Sequence, residues 1–322
     1  MRVLFAGTPA IAVPALEALA AVHSKGGFCE LTGILTNPDT AKGRRGSPTP
    51  SDVGAAAERL PGGAATALLK HETIDDACMR EAAALHAEIL VSFAYGAFFP
   101  DEFLALFPLG GINVHPSLLP KYRGATPIPS AILNRDSETG ISVQRLTGDL
   151  DSGGLLDQEA IPLTGRETTA SLSAVVAEKS AALLVKTLQG LAAGRVSETP
   201  QNHDAATYCD KFRREDGRID WRQSSVDIDA RIRAFTPWPL SYTKHGDSEL
   251  YILEAAPYAG TLAGGGADGA GKALGADKNA GIIIQTGGGL LAVSRLQYRT
   301  RKALDWRAFL NGARNFVGAI LE

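Results

Sequence analysis

The chain has 322 residues, 45% of them hydrophobic and 21% charged, which is too long for one ordinary core and leads us to expect two domains. Those proportions exclude a disordered, collagen-like or membrane-spanning chain, so no membrane partner is expected. The formal net charge of −3 is uneven: residues 1–206 hold 16 basic against 22 acidic residues, a net of −6, and the remainder holds 16 against 13, a net of +3. A basic C-terminal part suits a polyanionic partner. The three cysteines, Cys29, Cys78 and Cys209, form no Cys-x-x-Cys pair and have no histidine at metal-ligand spacing. They read as small buried apolar residues in a reduced, cytoplasmic setting, with neither disulfides nor a metal site.

Met1 to Gly7 is an apolar run too short for a secretion signal; it stops at a Gly-Thr-Pro turn and reads as a first strand over Arg2 to Ala6. Further strands are expected at Leu31 to Thr36, Ala87 to Phe93, Gly111 to Val114 and Gly140 to Leu146. Helical spacing falls between them, at Val13 to Val22, Asp75 to His86 and Pro100 to Phe107. This alternation implies a mostly parallel sheet covered by helices, in which ligands bind beyond the carboxyl ends of the strands. A long helix follows from Thr169 to Leu191, capped by Thr168 or Thr169 and closed by Gly194. Residues 195–208 are polar, contain Pro200 and read as a linker. Beyond it, Leu250 to Glu254, Gly281 to Gln285 and Leu290 to Arg295 are strand candidates, the last two joined across Gly287-Gly288-Gly289, so the second domain is expected to be a small, mainly β barrel. The Gly/Ala-rich stretch Ala259 to Ala280 is expected to be a mobile surface loop.

The densest chemical signal is Asn113-Val114-His115-Pro116-Ser117-Leu118-Leu119-Pro120, followed by Lys121-Tyr122-Arg123-Gly124. Alternate strand residues share a face, so Asn113 and His115 can point into one cleft, and Pro116 ends the pairing there. An isolated Asn-x-His pair is more often a turn cap beside a structural histidine. A second element, Gly148-Asp149-Leu150-Asp151-Ser152-Gly153-Gly154, offers two carboxylates in a turn just past another strand candidate. Asparagine, histidine and aspartate together supply what acyl transfer to an amine needs, an oxyanion donor and an acid/base group.

The run Asn113 to Gly124, the turn at Asp151 and the opening Phe5-Ala6-Gly7-Thr8-Pro9 resemble the folate-dependent formyltransferases. Arg218-Ile219-Asp220-Trp221 and Arg233-Ala234-Phe235-Thr236-Pro237-Trp238-Pro239 extend the likeness to nearly the whole chain. It implies a Rossmann-like α/β formyltransferase domain over 1–194, a linker over 195–208 and an OB-like C-terminal barrel over 209–322. It also implies that Asn113, His115 and Asp151 are catalytic, with Asp149 the less suitable carboxylate, and that the cosubstrate is 10-formyltetrahydrofolate. Phe93, Ala94, Tyr95, Gly96, Ser117, Leu118, Leu119, Pro120 and the backbone at Leu150 would line the folate pocket. Two departures, Ala10-Ile11 and Leu240-Ser241, leave the triad untouched.

The loop Asn37 to Pro48 has the composition of an ordinary solvated loop. TRNA-directed members of the family carry a basic insertion at this place, so the resemblance assigns Lys42, Arg44 and Arg45 to tRNA contact and initiator methionyl-tRNA as the acceptor of a monomeric enzyme. Lys211, Arg213, Arg214, Arg299, Arg301 and Lys302 could extend the basic track, although a solvated face explains each of them equally well. A sugar-nucleotide N-formyltransferase or a formyltetrahydrofolate hydrolase keeps the chemistry and changes the acceptor. A nicotinamide dehydrogenase fits poorly, because Gly7-Thr8-Pro9 lacks the Gly-x-Gly-x-x-Gly spacing. A non-catalytic RNA-binding protein would leave the triad without purpose.

Overall fold

The computed structural model describes residues 1–41, 46–60, 66–261 and 269–322. In chain order its first strands are β1 (Arg2–Gly7), β2 (Glu30–Thr36), a short antiparallel pair β3 (Thr40–Ala41) and β4 (Pro48–Thr49), β5 (Ala67–Lys70), β6 (Ile89–Phe93) and β7 (Gly111–His115). They are followed by β8 (Arg123–Gly124), β9 (Glu138–Arg145), β10 (Leu155–Pro162) and β11 (Tyr208–Cys209). The main sheet has seven strands in the order β10-β9-β7-β6-β1-β2-β5. From β7 to β5 neighbouring strands run parallel, whereas β9 and β10 are antiparallel additions at one edge. β6 is Ile-Leu-Val-Ser-Phe with all five residues buried, as a strand covered on both faces requires.

Sequence periodicity located four of the eight α-helices among the described residues, and not all of their lengths; Asp52–Ala57, Pro127–Leu133, Ser225–Ala234 and Trp306–Gly312 were not expected. The helix Val13–Ser24 carries proline in its first turn, where the missing N–H costs nothing. Asp75 caps Asp76–Ala84 by accepting from the Cys78 amide at 2.9 Å. The stretch expected to be helical over Pro100 to Phe107 forms only Asp101–Leu104. Its aromatic side chains Phe103 and Phe107 serve packing instead: they continue a series from Tyr95 and Phe99 with ring centroids 5.4–5.7 Å apart, stacked up to Phe103 and edge-on at Phe107, inside the core on that side of the sheet.

The chain forms two compact units, one of Met1–Pro127, Glu138–Pro162 and Ser173–Cys209 and the other of Ile128–Ser137, Leu163–Leu172 and Asp210–Glu322. The stretch expected as a linker, 195–208, packs within the first unit: Gln201 is 5% exposed, and the Thr207 amide donates to the Pro120 carbonyl at 3.2 Å. The second unit is mainly antiparallel β, built on β12 (Ser241–His245), β13 (Ser248–Tyr258), β14 (Ala273–Asp277), β15 (Gly281–Gln285), β16 (Leu290–Tyr298) and β17 (Leu304–Asp305). Its strands pair in the order β12-β13-β16-β15-β14, with β17 on β16, around a core that includes Trp221, Ile252, Ile284, Val293, Phe309 and Phe316. The expectation of a mobile loop across Ala259 to Ala280 needs correction at Ala273–Asp277, which is a strand paired with β15. Small residues are used there because Ala273 lies at 0% exposure in the core, where composition alone suggests a linker. No described helix is long and apolar enough to cross a membrane.

Candidate active site

The site lies where β7 gives out. Asn113 and His115 are two residues apart on one face of that strand, while Val114 between them is buried on the other. β9 runs antiparallel alongside, with Asn113 opposite Gln144 and His115 opposite Ser142, and this register brings an amide beside the pair. Asp151 arrives on the connection between β9 and β10.

All three expected residues meet, and the carboxylate is the hub. Asp151 Oδ1 accepts from Gln144 Nε2 at 2.8 Å and from Asn113 Nδ2 at 3.3 Å. Asp151 Oδ2 accepts from the Gly124 amide at 2.9 Å and faces His115 Nδ1 at 3.5 Å. The side chains of His115 and Asp151 are 4% and 11% exposed, so their interaction is weakly screened by water. His115 Nε2 lies 2.8 Å from the Tyr122 carbonyl oxygen, which can only accept, so Nε2 carries a proton and Nδ1 is the position open to proton exchange. Asn113 has a second amide proton beyond the one aimed at Asp151, which leaves it a donor to offer a reacting oxygen.

The backbone around these groups is held in an uncommon conformation. Ala94, Tyr122 and Asp151 all have positive φ, at 52°, 58° and 47°. Each such residue costs on the order of 1–3 kcal/mol, least for aspartate, and persists only where neighbours enforce it. Tyr122 is enforced from both sides: its amide donates to Thr207 Oγ1 at 2.9 Å and its carbonyl takes the His115 proton.

The other expected residues fall into three groups. Ala94 and Gly96 are exposed at the end of β6, but the Phe93 and Tyr95 side chains are core, 0% and 2% exposed. The Tyr95 hydroxyl donates to the His71 carbonyl at 2.6 Å, and burial pushes its pKa far above the usual tyrosine value. Ser117 and Leu119 are also buried, with Ser117 Oγ donating to the Lys121 carbonyl at 2.6 Å, while Leu118 and Pro120 are half-buried. Leu150, in contrast, is 62% exposed beside Asp151. Asp149 is exposed and contributes its carbonyl to Thr147 and Ser152.

Lys42, Arg44 and Arg45 lie outside the described residues. Of the C-terminal cations, Arg214 pairs with Glu249 at 2.6 Å, Arg299 approaches the same carboxylate at 3.7 Å, and Arg301 lies 5.7 Å from the Tyr298 ring centroid. The cysteines are all buried, and burial, helped by Asp75 and Glu81, pushes the Cys78 thiol up to about 11, which suits packing and not nucleophilic attack.

Sequence reasoning missed Gln144, Gln201, Tyr122 and Gly124 as parts of the site. Gly124 closes the motif Lys121-Tyr122-Arg123-Gly124, and its place there is the signal that points to it. Its φ is +119°, and a Cβ there would stand 2.3 Å from the Cys209 carbonyl oxygen on β11. Gly124→Ala is therefore expected to destabilise the protein by about 1–3 kcal/mol and to slow turnover, because its amide is a donor to Asp151. Urea unfolding and steady-state kinetics check this; wild-type values in both would contradict the close approach.

Residues 1–188 match the model of the formyl transferase family, and residues 211–314 match that of the formyl transferase C-terminal domain. The chain belongs to the formyl transferase family. Among its relatives, the methionyl-tRNA formyltransferase of Treponema denticola is 42% identical over 333 residues, covering 98% of both chains. In fold, the chain is similar to HypX of Aquifex aeolicus, solved with tetrahydrofolic acid, at a TM-score of 0.66 and 16% identity, covering 98% of this chain and 48% of that one. It is likewise similar to an N-formyltransferase of Helicobacter canadensis, solved with folinic acid and dTDP-3-aminofucose, at a TM-score of 0.65 and 20% identity, covering 92% and 98%.

Proposed function

We propose that this enzyme transfers the formyl group of 10-formyltetrahydrofolate to the α-amino group of methionyl initiator tRNA. The observation that carries the chemistry is the convergence of Asn113 and His115 on the Asp151 carboxylate. The acceptor is supported by the 42% identity over essentially full length to a relative named for methionyl-tRNA. A cytoplasmic location accords with that role.

In this reading the neutral amine attacks the formyl carbon and a C–N bond forms, giving a tetrahedral intermediate. Collapse breaks the bond to N10, so one proton must leave the attacking nitrogen and one must reach N10. The free amide proton of Asn113 stabilises the developing oxyanion. His115, tied to Tyr122 through Nε2, handles the proton at Nδ1, where Asp151 holds the ring and balances its charge. The exposed Leu150 side chain and the open backbone at Ala94 and Gly96 are the surfaces offered to the folate.

The decisive assay presents 10-formyltetrahydrofolate with charged initiator tRNA, uncharged initiator tRNA and a dTDP-amino sugar. Formylation of the charged tRNA alone is expected. Preferential formylation of the sugar nucleotide, or release of formate to water at the same rate, would overturn the assignment. Replacing Lys42, Arg44 and Arg45 together by glutamine should raise KM for tRNA and flatten its salt dependence. Each lost phosphate contact removes about 0.7–0.9 from the slope of log K against log salt. An unchanged KM and slope would make that loop a bystander.

A further inference from the structure

Gln144 and Gln201 are both buried, 1% and 5% exposed, and they link the Asp151 carboxylate to a guanidinium on the far side. Gln201 Oε1 accepts from Arg123 Nη2 at 2.7 Å and from Nε at 3.1 Å. Gln201 Nε2 donates to Gln144 Oε1 at 3.1 Å, to the Asp151 carbonyl at 2.9 Å and to the Gly153 carbonyl at 2.7 Å. Gln144 Nε2 then donates to Asp151 Oδ1 at 2.8 Å. Arg123 is 2% exposed, and it also donates to His203 Nδ1 at 3.2 Å and to the Tyr208 hydroxyl at 3.4 Å.

A guanidinium has five N–H groups and no acceptor, so whichever end of an amide meets it must be the oxygen. That requirement propagates. With its oxygen on Arg123, Gln201 must turn its NH2 toward Gln144. Gln144 must then present its own oxygen to Gln201 and its NH2 to Asp151. The Asp151 and Gly153 carbonyls, which can only accept, demand the same polarity of Gln201, and a turned Gln144 would set a carbonyl oxygen against a carboxylate oxygen.

We propose that Gln201, held by Arg123 on its oxygen and by the Asp151 and Gly153 carbonyls on its NH2, acts through Gln144 as a positioning residue that fixes the amide polarity around Asp151 and so the angle at which the carboxylate meets His115. This rests on the proposed catalytic role of Asp151. Gln201 thereby takes part in the reaction geometry, although it follows the long helix by several residues and carries no motif.

The test is Gln201→Glu, which conserves shape and keeps an acceptor for Arg123 but removes both N–H groups. The expected result is a fall in kcat of about 10- to 100-fold, the size of effect that small misplacement of a catalytic group produces, with KM for folate and for tRNA within about twofold of wild type. A folded Gln201→Glu enzyme with wild-type kcat overturns the proposal, and so does a kcat loss that merely tracks the folded fraction measured by near-ultraviolet circular dichroism. Asp151→Asn is assayed alongside. If it is inactive while Gln201→Glu is fully active, the positioning role alone fails; if it is active, the catalytic reading fails too. Should Gln201→Glu not fold, the wild-type enzyme still decides. The side-chain NH2 resonances of Gln144 and Gln201 must be resolved and slow to exchange with water, and rapid exchange of both overturns the proposal.

Discussion

His115→Ala is expected to lower kcat by about 10²- to 10⁴-fold, the range that loss of a positioned acid/base group produces. The imidazole is the group whose Nδ1 stands beside the carboxylate and whose Nε2 is committed to a backbone carbonyl. The variant also leaves the Tyr122 carbonyl without that donor in a buried setting, at a stability cost on the order of 1–3 kcal/mol. Rates must therefore be measured well below the unfolding midpoint of the variant. His115→Gln offers a donor to the same carbonyl and isolates the chemical role from the structural one. Single-turnover formylation of charged tRNA is the measurement, and retention of most of the wild-type rate in His115→Ala would remove histidine from the reaction.

Asp151→Asn should abolish most turnover with folate binding nearly unchanged. The substitution conserves shape, and its effect follows from counting donors. Once His115 carries a proton at Nδ1 as well, four N–H groups are directed at the two carboxylate oxygens, from Gln144, Asn113, Gly124 and His115. An asparagine presents one oxygen and one NH2, so two of those donors would face another donor. Whichever way the amide settles, either the pair formed by Gln144 and Asn113 or the pair formed by Gly124 and His115 is lost. We expect a fall in kcat on the order of 10²–10⁴, comparable in kind to removing the orienting aspartate from a hydrolase triad. Folate affinity by equilibrium titration should stay within a few-fold. Undiminished turnover would contradict the assignment of Asp151. Combined with His115→Ala the losses should fall well short of multiplying, because the two side chains act as one unit.

Much of this geometry was legible in the sequence because it rests on short-range rules. The two-residue period of a strand puts Asn113 and His115 on one face, and the Thr cap and Gly194 bracket the long helix, observed over Thr169–Ala192. The antiparallel edge was harder to read. β10, Leu-Leu-Asp-Gln-Glu-Ala-Ile-Pro, is mostly half-exposed and has no clean alternation, so its polarity hides a strand whose pairing comes from β9. Ala67–Lys70 is a four-residue edge strand, too short for a periodic signal. Gln144 ends a buried run that includes Ile141-Ser142-Val143, and only the cross-strand register shows that it faces Asn113. Gln201 sits in a polar, proline-containing stretch whose composition suits a tether, and the partners that bury it are 48 to 78 positions away. Tyr95 shows the reverse error: motif resemblance places it in a pocket lining, whereas its ring belongs to the aromatic stack beneath the sheet.

The pairing of β11 with β8 bears on where the polypeptide can be cut. A severed N-terminal piece ending after the long helix, near residue 194, would retain Asn113, His115 and Asp151 while losing Gln201, His203, Tyr208 and the strand that backs Gly124. An interior cation would then stand without its acceptors, and the loop bearing Tyr122 would lose the brace from Thr207. Extending the piece through Cys209 keeps every one of these ties, some fifteen residues beyond the point where helix boundaries alone would place the cut.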